Sequence, residues 1–164
     1  MAGSRHHARP SVTVDVVVLA TAGQQRNVLL VKRRNPPFAG CWALPGGFVE
    51  PDEPLEAAAR RELAEETGVV PAHLEQLYTF GDPGRDPRGW TISVAYLALL
   101  TEEDTPAGQL RAGSDAQSVS WFPLDHLPPL AFDHARILAH ALTRLIAASQ
   151  PVESNLAQLM PRST

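Results

Sequence analysis

The sequence predicts an α/β or α+β domain, in which helices pack against a mixed β-sheet. Several apolar runs rich in valine and leucine have the length of strands and are bounded by turn-forming residues. Two longer segments place their apolar residues at helical spacing instead. Strands and helices alternate without an internal repeat, which favours a single sheet covered by helices.

The predicted elements span one domain. Pro54 suits the first position of a helix, so Glu53 is interpreted as its N-cap and Gly68 as its end. Asp133 is interpreted as the cap of a second helix. Strands are predicted at 11–20, 28–34, 74–81, 91–100 and 118–122, helices at 54–67 and 133–148, the domain at 11–148, and tails at 1–10 and 149–164.

Composition limits the possible partners and location. The 164 residues are 44% hydrophobic and 20% charged, as in globular proteins, and the formal charge of −4 provides no basic surface for nucleic acid or an anionic membrane. Asp15 interrupts the apolar run at 11–20, which therefore indicates a strand rather than a signal peptide. No run is long enough to span a membrane. Cys41 is the only cysteine, so a reducing cytoplasm is predicted.

The stretch GGFVEPDEPLEAAARRELAEETGV, residues 46–69, places acidic and apolar side chains on the same helix face. At 100° per residue, Glu62 and Glu66 fall on the side of Leu55, Ala59 and Leu63, which we expect to face the core. Two such carboxylates repel each other by roughly 3 kcal/mol at an effective dielectric constant near 20. A positive group is therefore expected among them.

Two kinds of positive group fit this helix. Arg61 can bind one carboxylate bidentately, and Glu53 is its natural partner. Glu62, Glu65 and Glu66 would then converge as oxygen ligands, which suit Mg²⁺ or Mn²⁺ better than zinc. A solvated acidic helix face is the alternative, but the overlap with the apolar stripe argues against it.

The same stretch resembles the Nudix hydrolase signature at every fixed position of that motif. The matching residues are Gly47, Glu53, Arg61, Glu62, Leu63, Glu65, Glu66, Gly68 and Val69. The resemblance implies an α/β/α sandwich around a mixed sheet, in which the signature forms a loop–helix–loop that holds a divalent metal. It also implies hydrolysis of a nucleoside diphosphate linked to another group.

By this resemblance, Glu62 and Glu66 are the principal metal ligands, with Glu65 as a further ligand and the Gly46 carbonyl completing the shell. Mg²⁺ is the expected ion, with Mn²⁺ as the alternative. It would neutralise phosphate oxygens and acidify a water molecule. Arg61 would orient the carboxylates without touching the substrate.

The general base stays open between two positions. Some members of the family use a glutamate of the signature, for which Glu62 is the candidate. Others use an acidic residue on a loop between later strands, and Asp115 is the candidate there, ahead of the acidic residues at 102–104. A lone loop aspartate is more often a solvated turn residue.

Outside the signature, residues 11–148 resemble the branch that contains ADP-ribose pyrophosphatases and regulators that sense ADP-ribose. The resemblance implies cleavage of ADP-ribose to AMP and ribose 5-phosphate. In the loop GDPGRDPRG, Arg85 and Arg88 flank Asp86, which offers a fork for phosphate and a carboxylate for ribose hydroxyls. A turn with a local ion pair explains the same residues equally well.

Three more residues are candidates for substrate binding. Arg33 ends a predicted strand and can reach phosphates, although strand ends commonly carry solvated arginine. Trp42 and Phe48 can stack on adenine, but for Trp42 a core position is the more common outcome.

Two other functions remain open from the sequence. One is a MutT-like hydrolase of nucleoside triphosphates. The other is a regulator that binds ADP-ribose without cleaving it and carries a DNA-binding domain, for which residues 149–164 are too few. The complete set of signature carboxylates favours the enzyme, and a homodimer without nucleic-acid partners is expected.

Overall fold

The computed structural model describes residues 8–22, 25–101, 104 and 116–149. Over these residues the chain forms seven strands and two helices. They are β1 (Ser11–Ala22), β2 (Gln25–Arg33), β3 (Trp42–Ala43), β4 (Gly46–Phe48), α1 (Leu55–Thr67), β5 (Glu75–Phe80), β6 (Thr91–Leu100), β7 (Ala116–Pro123) and α2 (His134–Ala148).

The strands form one mixed sheet, as predicted. Its central order is β3–β2–β1–β6–β5, with β4 paired to β1 and β7 paired to β2. Strands β1 and β6 run parallel, and the other pairs are antiparallel. Asp15 lies in β1 opposite Gly46 of β4 and Ala95 of β6, which places a carboxylate in the middle of the sheet.

Each face of the sheet carries its own hydrophobic core under one helix. Because side chains alternate along β1, Val16 packs with Leu63 of α1 on one face, while Val17 packs with Ile137 of α2 on the other. All four side chains are fully buried. The predicted α/β/α sandwich is therefore confirmed.

Helix α1 departs from the prediction at its first turn. Its N-cap is Pro54 rather than Glu53, whose carboxylate instead accepts hydrogen bonds from the Glu50 amide and from Arg61. Leu55 was expected in the core but is exposed, because the buried stripe begins one turn later at Ala58. The predicted end of the helix is confirmed, since Gly68 has the left-handed φ of 77° that glycine tolerates.

The strands lie where predicted, with shifted ends. Strands β1 and β2 extend past the ends predicted at residues 20 and 28, because their antiparallel pairing continues to the Ala22–Gln25 pair. The connection before α1 contains the short strands β3 and β4. In the described part of the chain, neither helix is long and apolar enough to cross a membrane. Residues 1–7 and 150–164 lie outside the described residues, so the tails stay predictions.

Candidate functional site

A cleft of about 410 Å³ opens beside β4 and contains charged side chains of both signs. Its acidic lining residues are Asp15, Glu50, Glu62, Glu66 and Asp86, and its basic ones are Arg33, Arg34, Arg61, Arg85, Arg88 and His134. Acidic and basic groups in one cleft suit a polyanionic ligand that binds together with a cation.

Two adjacent glycines let β4 approach both β1 and α1. A Cβ atom on Gly47 would lie 2.5 Å from the carboxylate of Glu62, and one on Gly46 would overlap the carbonyl of Val14. The sequence Gly46-Gly47 therefore allows the backbone to lie directly against the acidic face of α1.

Arg61 organises the acidic helix. Its guanidinium binds both carboxylate oxygens of Glu53, at 2.7 and 2.9 Å, so the pair expected from the sequence is present. It also donates to Glu62 at 2.8 Å and to the Phe48 carbonyl at 3.1 Å. These bonds from Arg61 lower the pKa of the Glu53 carboxyl to about 2. Arg61 has no donor left over for a substrate without breaking one of these contacts.

Glu62 and Glu66 face the cleft, and Glu65 does not. Oε2 of Glu66 accepts a hydrogen bond from the Gly46 amide at 2.9 Å, yet burial raises the pKa of this carboxyl to about 8. Burial also raises the pKa of Glu62. The Glu65 side chain is 61% exposed and only reaches Arg61, at 3.4 Å. Of the three carboxylates that were expected to converge, those of Glu62 and Glu66 lie in the cleft and that of Glu65 does not.

The pair of carboxylates fits a hard divalent cation. Among the described residues, no three His, Cys, Asp or Glu side chains are already grouped to hold a metal ion. Glu62 and Glu66 nevertheless supply partly buried carboxylate oxygens side by side in the cleft, and burial raises the pKa of both. Oxygen ligands of this kind suit Mg²⁺ or Mn²⁺.

Arg33 and Arg88 line the cleft on the side of Phe132. Arg33 donates to the Pro37 carbonyl at 2.9 Å and has no carboxylate partner within the described ranges. Burial, and then the nearby Arg88, lower the pKa of Arg33. Arg88 binds Asp86 bidentately and lies 4.9 Å from the ring centre of Phe48 and 5.3 Å from that of Phe132. These contacts hold two guanidinium groups close together at the cleft.

Arg85 lies below the surface of the cleft, where it is paired with a carboxylate. Its side chain is only 5% exposed and binds both oxygens of Asp133, at 3.0 and 2.7 Å. Asp133 is the N-cap residue of α2, as interpreted, but its carboxylate makes no cap hydrogen bond. Asp86 is likewise committed to Arg88, which lowers its pKa although burial acts to raise it. Asp86 thus has no unoccupied carboxylate edge for a ribose.

The remaining candidates divide between the cleft, the core and the undescribed part of the chain. Phe48 is at the cleft and is 45% exposed. Trp42 lies outside the cleft lining and packs edge-on against Phe122, with ring centres 4.6 Å apart. Asp115 lies outside the described residues, as do Glu102 and Glu103.

Asp15, Phe132 and His134 are among the cleft residues that the sequence did not predict. Asp15 carried a usable signal, because a charge inside an apolar strand requires a buried partner. Nε2 of His134 lies 3.3 Å from Oδ1 of Asp15.

The chain belongs to the NUDIX domain family, whose match covers residues 9–141. It is 43% identical over 134 residues to an ADP-ribose pyrophosphatase of Methanocaldococcus jannaschii, covering 82% of this chain and 74% of the relative. It is 40% identical over 140 residues to the ADPR responsive transcriptional repressor NtrR of Acinetobacter baylyi, covering 83% of this chain but only 54% of the repressor.

A solved structure is similar in both fold and sequence. It is the NUDIX domain of Shewanella oneidensis NrtR in complex with ADP ribose. The TM-score is 0.77 at 42% identity, and the alignment covers 85% of this chain and 90% of that one. The chain is therefore a Nudix hydrolase by family and by fold.

Proposed function

We propose that this Nudix hydrolase cleaves ADP-ribose to AMP and ribose 5-phosphate with the help of a divalent cation. The observation that carries the proposal is the pairing, in one cleft, of the carboxylates Glu62 and Glu66 with the guanidinium groups Arg33 and Arg88. A diphosphate carries negative charge that needs both a cation and hydrogen-bond donors. The similarity to the pyrophosphatase of M. jannaschii supports ADP-ribose as the substrate.

Glu62 and Glu66 would hold the cation, with Gly46 as a backbone ligand. Arg61 would keep the Glu62 carboxylate aligned through the bonds it already makes, and Glu53 would fix Arg61. When bound, a divalent cation neutralises phosphate oxygens and lowers the pKa of water. Glu65 is proposed as a further ligand only if its side chain turns inward from the surface.

Arg33 is the stronger candidate for the diphosphate, because it has no carboxylate partner among the described residues. Arg88 and Phe48 form the neighbouring wall, where a nucleobase or ribose would pack. Glu62 and Asp115 are the two candidates for the general base. Arg85, Asp86 and Trp42 are proposed to act by holding this framework in place.

A second function, ADP-ribose sensing, is favoured by one observation: the 40% identity to the repressor of A. baylyi. A sensor requires binding but no turnover. Among the described residues, the acidic side chains that the signature specifies are all present, which supports turnover.

The decisive experiment measures products from ADP-ribose, NADH, diadenosine polyphosphates and oxidised dGTP, each with Mg²⁺ and with Mn²⁺. We expect ADP-ribose to have the highest kcat/KM. A Glu62→Gln/Glu66→Gln double variant serves as the blank, and Glu56→Gln serves as the matched control, since Glu56 is on α1 but pairs only with exposed Arg60.

Preference for oxidised dGTP would replace ADP-ribose with a MutT-like substrate. Tight binding of ADP-ribose without products would indicate a sensor. Equal activity of the double variant and wild type would remove the acidic pair from the site.

A further inference from the structure

A buried polar cluster borders the cleft, and the proposed chemistry gives a role only to its member Arg85. It consists of Asp15, Arg85, Ser93, Asp133 and His134, and we call it the Asp15 cluster. Asp15 accepts a hydrogen bond from Ser93, lies 3.7 Å from Arg85, and contacts His134 across 3.3 Å. The side chains of Asp15, Arg85 and His134 are at most 9% exposed.

The hydrogen bond that His134 accepts defines its tautomer. Nδ1 accepts a hydrogen bond from the backbone amide of Leu44 at 2.9 Å, so it carries no proton. The proton is on Nε2, which faces Asp15. Burial lowers the pKa of His134, consistent with a neutral ring. His134 therefore connects the carboxylate in the middle of β1 to the backbone between β3 and β4.

That backbone leads directly to the proposed cation site. Leu44 lies two residues before Gly46, whose amide binds Glu66 at 2.9 Å. Between them, the carbonyl of Pro45 accepts a hydrogen bond from Val16 at 2.8 Å. A shift of Leu44 would therefore be transmitted to the amide that holds Glu66.

The segment that carries His134 is itself held under strain. Phe132 has a φ of 52°, a left-handed conformation that costs a bulky residue roughly 1–2 kcal/mol. Arg85 binds Asp133 bidentately, and the Ala131 amide binds the Trp42 carbonyl at 2.7 Å. Such strain persists where the surrounding structure imposes one geometry, and it is commonly found at functional sites.

We propose that His134 is a positioning residue, which sets the place of Leu44 and Gly46 and thereby the carboxylate of Glu66. It acts through the backbone and contacts neither substrate nor cation. The role rests on the proposed function only for its effect on turnover. Its effects on the Gly46 amide and on cation binding concern the protein without substrate.

The test compares His134→Leu with His134→Gln. Leucine removes the hydrogen bond from Leu44 and the polar contact with Asp15, whereas glutamine can still accept from Leu44 and reach Asp15. His140→Leu is the matched control, because His140 lies on the same helix but stacks on Tyr78, outside the cleft lining. Each protein is measured for amide exchange at Gly46 by NMR, for Mn²⁺ affinity without substrate, and for turnover.

In His134→Leu we expect exchange at Gly46 to quicken, and Mn²⁺ affinity and kcat to fall, each by about 10-fold or more, the effect of one buried unpaired donor. His134→Gln should remain within about 3-fold of wild type, since the Leu44 amide keeps an acceptor and Asp15 keeps a polar neighbour. If the leucine variant does not fold, His134→Asn takes its place, because its shorter amide cannot reach both partners.

Wild-type exchange and Mn²⁺ affinity in the leucine or asparagine variant would overturn the proposal. A glutamine variant as impaired as the leucine variant would do so too, as would the same losses in His140→Leu. Failure of ADP-ribose as a substrate would leave the exchange and Mn²⁺ measurements unaffected, so the two proposals fail separately.

Discussion

At the scale of single residues, the cleft is defined by how each arginine is already used. Arg61 binds Glu53 and Glu62, Arg85 binds Asp133, and Arg88 binds Asp86. A guanidinium bound in this way is fixed in direction, because a carboxylate holds its Nε–Nη2 edge. These arginines therefore act first as parts of the framework.

Arg61→Lys tests this role directly. Lysine keeps the charge but cannot bind both oxygens of Glu53 and also reach Glu62, so we expect kcat to fall by about 10-fold or more, with KM nearly unchanged. Steady-state kinetics on ADP-ribose measure both constants. Arg60→Lys is the control, since Arg60 is on the same helix but pairs with exposed Glu56. A rise in KM alone would make Arg61 a substrate contact.

At the scale of elements, the site depends on how closely β4 lies against α1. Strand β4 contains Gly46 and Gly47, and the carboxylate of Glu62 occupies the space where a Gly47 side chain would be. The backbone of β4 therefore lies in direct contact with the Glu62 side chain of α1. Any added atom must displace the carboxylate.

Gly47→Ala should therefore reduce turnover without unfolding the domain. The added methyl group meets the movable end of Glu62, so we expect kcat to fall by about 10-fold while the free energy of unfolding changes by less than about 1 kcal/mol. Gly81→Ala is the matched control, because its Cβ would make an ordinary 3.6 Å contact with Ile92. Kinetics and urea denaturation give the two quantities. A large loss of stability in Gly47→Ala with normal turnover would contradict this.

Arg88 belongs to the loop at 81–90 and lines the cleft. Its replacement tests the contribution of this loop to substrate binding. Arg88→Ala should lower kcat/KM for ADP-ribose by about 10-fold to 100-fold, the effect of one charge-assisted hydrogen bond. Activity on a nucleoside triphosphate should change less, because that substrate has no second ribose. Arg144→Ala is the control, since Arg144 pairs with Glu75 on the exposed side of α2. Equal losses on both substrates would give the loop a general supporting role.

At the scale of the whole molecule, helices on opposite faces of the sheet contribute to one cleft. Helix α1 supplies Glu62 and Glu66, and the start of α2 supplies His134. The sheet between them carries Asp15. The expected homodimer, the absence of nucleic-acid partners and the cytoplasmic location stay predictions.

The buried acid Glu66 makes the stability of the metal-free protein depend on pH. Its pKa is raised from 4.5 to about 8, so its stabilising contribution is complete below pH 4.5 and is lost as pH rises through 8. Between pH 4.5 and 8, we expect the free energy of unfolding of Glu66→Gln to rise relative to that of wild type, by up to about 1.4 kcal/mol per pH unit. Because the pKa of His134 is lowered, this residue makes both proteins less stable as the pH falls below 6.5, and it does so equally in the two.

Urea denaturation in EDTA at pH 5, 6, 7 and 8 measures this difference, and added Mn²⁺ should reduce it. A constant difference across the four pH values would show that Glu66 is not a buried, destabilising carboxylate.

The sequence by itself determined the fold class, most of the elements and the acidic helix, because these depend on local periodicity and on a motif contained within residues 46–69. The pairing of Arg61 with Glu53 was also predictable, since one turn-and-helix unit brings them together. Only the tertiary structure decided that Leu55 and Glu65 face solvent and that Asp133 binds Arg85. It alone joined Asp15 to His134, residues far apart in the chain. Such contacts depend on strand pairing and on how the helices lie against the sheet, which local sequence patterns do not encode.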